Sequence, residues 1–90
     1  MNIALRDGVS TADTEYGIAL LDRHSGDYWE LNPTGATVLR TLLAGGSPEK
    51  AVDEIIARYA VDRDTAQRDV EELVDGLRAV GLMVDAEGAR

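Results

Sequence analysis

Gly17-Ile18-Ala19-Leu20-Leu21-Asp22-Arg23-His24-Ser25-Gly26-Asp27-Tyr28-Trp29-Glu30-Leu31-Asn32-Pro33 holds the change of pattern that sets the fold. Gly17–Asp22 is a short apolar run bounded by Gly and Asp. Asp27–Leu31 carries a Tyr and the only Trp, residues that favour a pleated, half-buried surface. Between them Arg23-His24-Ser25-Gly26 has the size and terminal glycine of a hairpin loop. The two runs read as a hairpin. A further strand is expected inside Asn2–Val9, completing a three-stranded sheet over about residues 2–31. The polar Thr11–Glu15 reads as a loop.

Beyond Leu31 the period becomes helical. Asn32 can cap a helix whose first residue is Pro33, because Pro lacks only an N–H that would go unpaired there. Val38, Leu39, Leu42 and Leu43 recur at helical spacing until Gly45-Gly46 stops the run. Ser47-Pro48 repeats the start signal, and Val52, Ile55, Ile56 and Tyr59 form an apolar face. Val61-Asp62 breaks this second helix. Asp62 or Asp64 caps a third, Asp64 having Gln67 three residues on in a capping-box pattern. Its stripe is Ala66, Val70, Leu73, Val74, Leu77 and Val80, and Gly81 ends it. For Leu82-Met83-Val84 two readings stay open, a short terminal strand or core packing, and Ala86–Arg90 reads as a frayed tail. The fold class is α+β: one domain over residues 1–90, a small three-stranded antiparallel sheet followed by three helices at about residues 33–81.

Composition narrows the function. Ninety residues, 44% hydrophobic and 29% charged, suit one modest core and leave no room for a cleft between lobes. Seventeen acids against nine bases give a charge of −8, which repels phosphate backbones and anionic lipid. Without Cys there is no disulfide, thiolate metal site, Fe–S cluster or Cys nucleophile. Met1–Gly8 lacks the apolar run of a signal peptide, and no stretch is apolar enough to span a membrane. A cytoplasmic location is the expectation.

No active site is legible. His24 falls in the hairpin turn and has no orienting partner for general-base work. Asp22 and Asp27, and likewise Asp62 and Asp64, lack the ligand spacing of a calcium loop. Gly45-Gly46-Ser47 lacks the Lys-Ser/Thr of a phosphate loop. Ser10, Ser25 and Ser47 have no activating partner. No catalytic residue, metal or cofactor is expected. A helical trio with a hairpin also suggests a winged-helix DNA-binding regulator, but between Asp62 and Arg78 six acids stand against three arginines. DNA binding draws on Lys and Arg neutralising phosphates, and this helix would be repelled.

What remains is recognition of another polypeptide, or self-association through a sheet edge. An exposed edge carries unpaired N–H and C=O groups, to which an extended peptide can add as a further strand. Tyr28 and Trp29 either furnish pockets beside such an edge or fill a core that contains no Phe. Strand neighbours face opposite ways, so the two roles can be divided between them.

The ordered set Tyr28-Trp29-Glu30-Leu31-Asn32-Pro33-Thr34-Gly35-Ala36, Gly45-Gly46, Ser47-Pro48-Glu49-Lys50-Ala51-Val52-Asp53-Glu54-Ile55, Arg58-Tyr59-Ala60-Val61-Asp62 and Asp69 through Met83 resembles the PqqD-like family. These are the recognition elements for precursors of ribosomally made, post-translationally modified peptides (RiPPs). The resemblance spans about Gly17 to Val84. It implies a winged helix-turn-helix-like domain that is not an enzyme and binds the leader of a precursor peptide. The leader would lie as an added antiparallel strand between the third strand of the sheet and the third helix. Carried over by position, the binding residues are Asp27, Tyr28, Trp29, Glu30 and Leu31 on the strand. On the helix they are Asp69, Glu72 and Leu73, the flank preferred over Val74 and Arg78. Within the family, the chain resembles the leader-binding half of a split lasso-peptide B protein. Its implied partners are a separate cysteine-protease half and a cyclase. The alternative is a PqqD-like chaperone for a radical S-adenosylmethionine enzyme.

Overall fold

Capping side chains set the three helices. In the computed structural model, which describes residues 3–85, Asn32 Oδ1 accepts from the Gly35 N–H at 2.8 Å and starts α1, Pro33–Leu43. Ser47 Oγ accepts from Lys50 and starts α2, Pro48–Arg58. Asp62, not Asp64, caps α3, Arg63–Ala79, accepting from the Thr65 N–H at 2.8 Å. That bond, first among the causes, holds the Asp62 carboxyl below its ordinary range.

The strands divide between two sheets. β1 is Ile3–Leu5, β2 Val9–Asp13, β3 Ile18–Asp22, β4 Tyr28–Leu31 and β5 Met83–Asp85. The antiparallel three-stranded sheet has the order β2-β3-β4, and β1 pairs with β5 in a separate antiparallel pair. The hairpin of β3 and β4 is as expected. The strand that completes the sheet is different: Val9–Asp13 rather than a segment inside Asn2–Val9. Gly8, at φ +92°, reverses the chain, and the Val9 N–H returns to the Arg6 carbonyl at 3.0 Å. β1 is thereby turned away from β2 and left for β5. Thr11–Asp13, expected in a loop, is strand. Its polarity reflects exposure on an edge rather than irregular backbone. Leu82-Met83-Val84 resolves as core packing followed by strand, with Leu82 and Met83 buried. The frayed-tail expectation for Ala86–Arg90 lies outside the described residues.

The core lies between the inner face of the sheet and the helices. Leu20, Leu39, Leu42, Ile55 and Leu82 are fully enclosed, and Ala66, Val70, Val74 and Leu77 of α3 join them. Burying each large side chain contributes about 1.5–3 kcal/mol. Leu73 is only half-buried at the rim of this cluster, and Val80, expected in the stripe, is exposed as the C-cap of α3. No helix among the described residues is long and apolar enough to cross a membrane.

Candidate peptide-binding site

The hydrogen-bond phase of the hairpin decides which main-chain groups of β4 stay unpaired. The Asp22 N–H donates to the Asp27 carbonyl at 2.9 Å, which makes Asp22 and Asp27 a hydrogen-bonded pair. Pairing alternates along an antiparallel ladder, so Trp29 and Leu31, opposite Leu20 and Ile18, also direct their N–H and C=O toward β3. Tyr28 and Glu30 direct theirs outward, along the edge that no strand among the described residues covers. Asp27 does not contribute to this edge. Its N–H donates to Ser25 Oγ at 3.2 Å and its carbonyl closes the hairpin.

Side chains follow the same alternation. Trp29 and Leu31 point inward, half-buried against the core, whereas Tyr28 and Glu30 are exposed on the outer face. Partial desolvation, then the charge and hydrogen bonding of Glu30, raise the Tyr28 hydroxyl above its ordinary pKa. Gly17 fixes the far end of β4. A Cβ there would lie 2.1 Å from the Leu31 carbonyl oxygen, so only glycine admits this crossing of the chain just before α1.

Beyond Leu31 the chain enters α1, whose first two turns form one side of an open trough of about 400 Å³. Asn32, Thr34, Gly35 and Val38 line that side, and Asp69, Glu72 and Leu73 of α3 line the other. The carboxylates of Asp69 and Glu72 are exposed, Leu73 is half-buried against the core, and no cationic side chain among the described residues lines the trough. α3 and β4 run in opposite directions. The middle of α3 lies beside the residues that follow β4. The turn that follows it, at Gly81, reaches Arg6, which bonds Asp22 opposite the residue that precedes β4.

The structure thus brings Asp69, Glu72 and Leu73 together with the chain just past β4, and leaves Asp27 in the hairpin closure. Asn32, Thr34, Gly35 and Val38 were missed from sequence as lining residues. The signal for Asn32, Thr34 and Gly35 was the Leu31–Ala36 motif, which reads first as a helix cap, and Val38 reads as part of the apolar stripe of α1. Among the described residues no cluster of three or more His, Asp or Glu could hold a metal ion, and His24 is exposed in its turn.

A meander sheet followed by three capped helices defines a small winged helix-turn-helix-like α+β domain. The family model described as coenzyme PQQ synthesis protein D (PqqD) matches residues 17–83. The chain belongs to the PqqD family, as a PqqD-like RiPP recognition element. Among solved structures, a lasso peptide synthetase B1 complexed with the leader peptide is 39% identical. It superposes with a TM-score of 0.87, over 93% of this chain and 99% of that one. TbiB1 in complex with the TbiA(beta) leader peptide is 34% identical, with a TM-score of 0.79 over 92% and 94% of the two chains. A search of curated proteins finds no match.

Proposed function

We propose that this chain is a non-catalytic adaptor that binds the leader of a ribosomally made precursor peptide, of the lasso class, and presents it to a separate leader protease and cyclase. The observation that carries this reading is the edge of β4, uncovered among the described residues, leading into the trough walled by α3, in a fold that the two solved relatives named above share while each holds a leader peptide. The leader adds as an antiparallel strand to β4. Tyr28 and Glu30 supply its main-chain partners, Trp29 and Leu31 hold the strand against the core, and Asp69, Glu72 and Leu73 form the helical wall. Main-chain pairing provides affinity, and the side chains of the trough provide selection. One of the solved relatives named above is a lasso peptide synthetase B1, which favours the lasso pathway over a radical S-adenosylmethionine partner.

The test is titration with synthetic leader peptides from short precursor genes that adjoin the gene for this chain. One of them binds saturably in the nanomolar to micromolar range, and strand addition makes the complex sensitive to N-methylation at alternate peptide positions. Failure of every such leader to bind, or binding indifferent to N-methylation, overturns the proposal.

A further inference from the structure

We infer that the outer face of the three-stranded sheet is the docking surface for the leader protease, and that a bound leader widens this face and strengthens docking. The inference rests on the leader-binding reading above and adds a second surface to it. Ser10 and Ala12 of β2, Ala19 and Leu21 of β3, and Tyr28 and Glu30 of β4 share that face, opposite to the inward Ile18, Leu20, Trp29 and Leu31. An antiparallel sheet with one solvated face alternates apolar-in with polar-out. β3 departs from this. Ile18-Ala19-Leu20-Leu21 is a continuous apolar run, the pattern of a strand covered on both sides. Yet Leu21 is 40% exposed and its cross-strand neighbour Tyr28 58%. Ala12, opposite Ala19, continues the apolar surface onto β2, and of the six residues only Glu30 is charged.

Two observations choose the occupant. A leader added to β4 has its inner side against the trough walled by α1 and α3, so its outward side chains are the ones left within reach. Those side chains stand beside Tyr28 and Glu30 and extend the same face by one strand. An enzyme that holds the leader while cutting it approaches over this surface, where a flat apolar face of its own finds its complement. A second copy of the chain is a poorer occupant, because each copy carries −8 and the two repel.

The protease encoded beside the gene for this chain, purified and titrated into it with and without a synthetic leader lacking the cleavage site, tests this. The protease binds the bare chain, and binds the loaded chain about fivefold more tightly. Ala12→Lys, two strands away from the leader, weakens protease binding about tenfold by burying a charge against an apolar surface. Leu21→Lys does the same. Both variants keep the native circular dichroism spectrum and bind leader as wild type does. Glu71→Lys, an equal change of charge on the α2 side of α3, leaves protease binding unchanged. The inference is overturned, with the adaptor reading intact, if leader binds while the protease is indifferent to its presence or to both sheet variants. It is also overturned if light scattering finds a concentration-dependent dimer that Ala12→Lys abolishes, since a second copy then covers the face. Failure of the leader itself to bind removes the adaptor reading, and the inference with it.

Discussion

The Arg6 guanidinium donates to the Asp22 carboxylate and through Nε to the Gly81 carbonyl at 2.6 Å, so one side chain ties together three parts of the fold. These are the segment after β1, the last residue of β3, and the turn between α3 and β5. Asp22 is itself buried, and its other oxygen accepts from the N–H groups of His24 and Ser25, closing the hairpin turn. The site depends on this cluster. It fixes the start of β4 through the turn and the end of α3 through Gly81.

Acid should loosen the cluster. The His24 N–H, followed by Arg6 and the Ser25 N–H, hold the Asp22 carboxyl below its ordinary pKa against an opposing effect of burial. A carboxyl depressed in the folded state stabilises fully above its unfolded pKa of about 4, and that stabilisation is lost as pH falls through the lower, folded value. Asp22→Asn is therefore expected to have a lower Tm than wild type at neutral pH and a flatter dependence of Tm on pH below about 5. Thermal melts across that range check it. Residual slope in the variant is expected from Asp62, depressed by its helix-capping bond, and Asp22→Asn/Asp62→Asn should remove part of it.

Gly17 and Gly8 should tolerate alanine unequally. At Gly8 the added Cβ would lie 2.4 Å from the exposed His24 ring, in addition to the strain of φ +92°. The ring can move, so His24→Ala should recover part of the roughly 1–2 kcal/mol lost in Gly8→Ala, leaving the backbone strain. At Gly17 the obstacle is the Leu31 carbonyl, which cannot move without displacing the β4–α1 junction. Gly17→Ala should cost more, roughly 2–4 kcal/mol, with no rescue from a side-chain change. Urea denaturation of the four variants, including the Gly8/His24 double, distinguishes these cases.

Much of the fold is legible locally. Asn32-Pro33, Ser47-Pro48 and Asp62 each announce a helix within a few residues, and the glycine-ended loop between Asp22 and Asp27 announces the hairpin. The pairing of β1 with β5 is not legible, because Ile3 meets Asp85 across nearly the whole chain and strands of three residues are too short to show a period. The polar β2 hid in the same way, since edge exposure and loop exposure look alike in composition. In the candidate site, periodicity gives the apolar stripe of α3 but not the neighbour of each flank. Only the folded position of α1 shows that Asp69, Glu72 and Leu73 face Asn32–Gly35, with Val74 buried on the core side.

Gly76 is expected to mark a place where the helix gives up stability. It lies inside α3 with a right-handed backbone, and a Cβ there would meet nothing within 4 Å. Glycine in a helix interior is less favourable than alanine by roughly 0.5–1 kcal/mol. Gly76→Ala should accordingly raise stability by about that amount in urea denaturation. A loss instead would mean that the α3 backbone at this position departs from the helix described.

Proline substitution along β4 separates the outward-facing main chain from the ladder that holds the strand. The Trp29 N–H is directed at β3, so Trp29→Pro removes a ladder bond as well as a core side chain, and this variant should not fold. The Glu30 N–H is directed at the open edge, where proline is tolerated in sheets. Glu30→Pro should retain the native circular dichroism spectrum and lose only a few degrees of Tm. It removes one donor that an added strand requires, worth about 1 kcal/mol or roughly a fivefold loss of affinity, and its ring also crowds the incoming backbone. A bound leader peptide should therefore be weakened by at least that factor, measured by isothermal titration. Glu30→Gln, which keeps the N–H and removes the charge, should bind within about twofold of wild type at moderate salt. If Glu30→Pro binds like wild type while folded, the peptide does not pair with this edge. If Glu30→Gln alone reproduces the loss, the interaction at Glu30 is electrostatic rather than a strand addition.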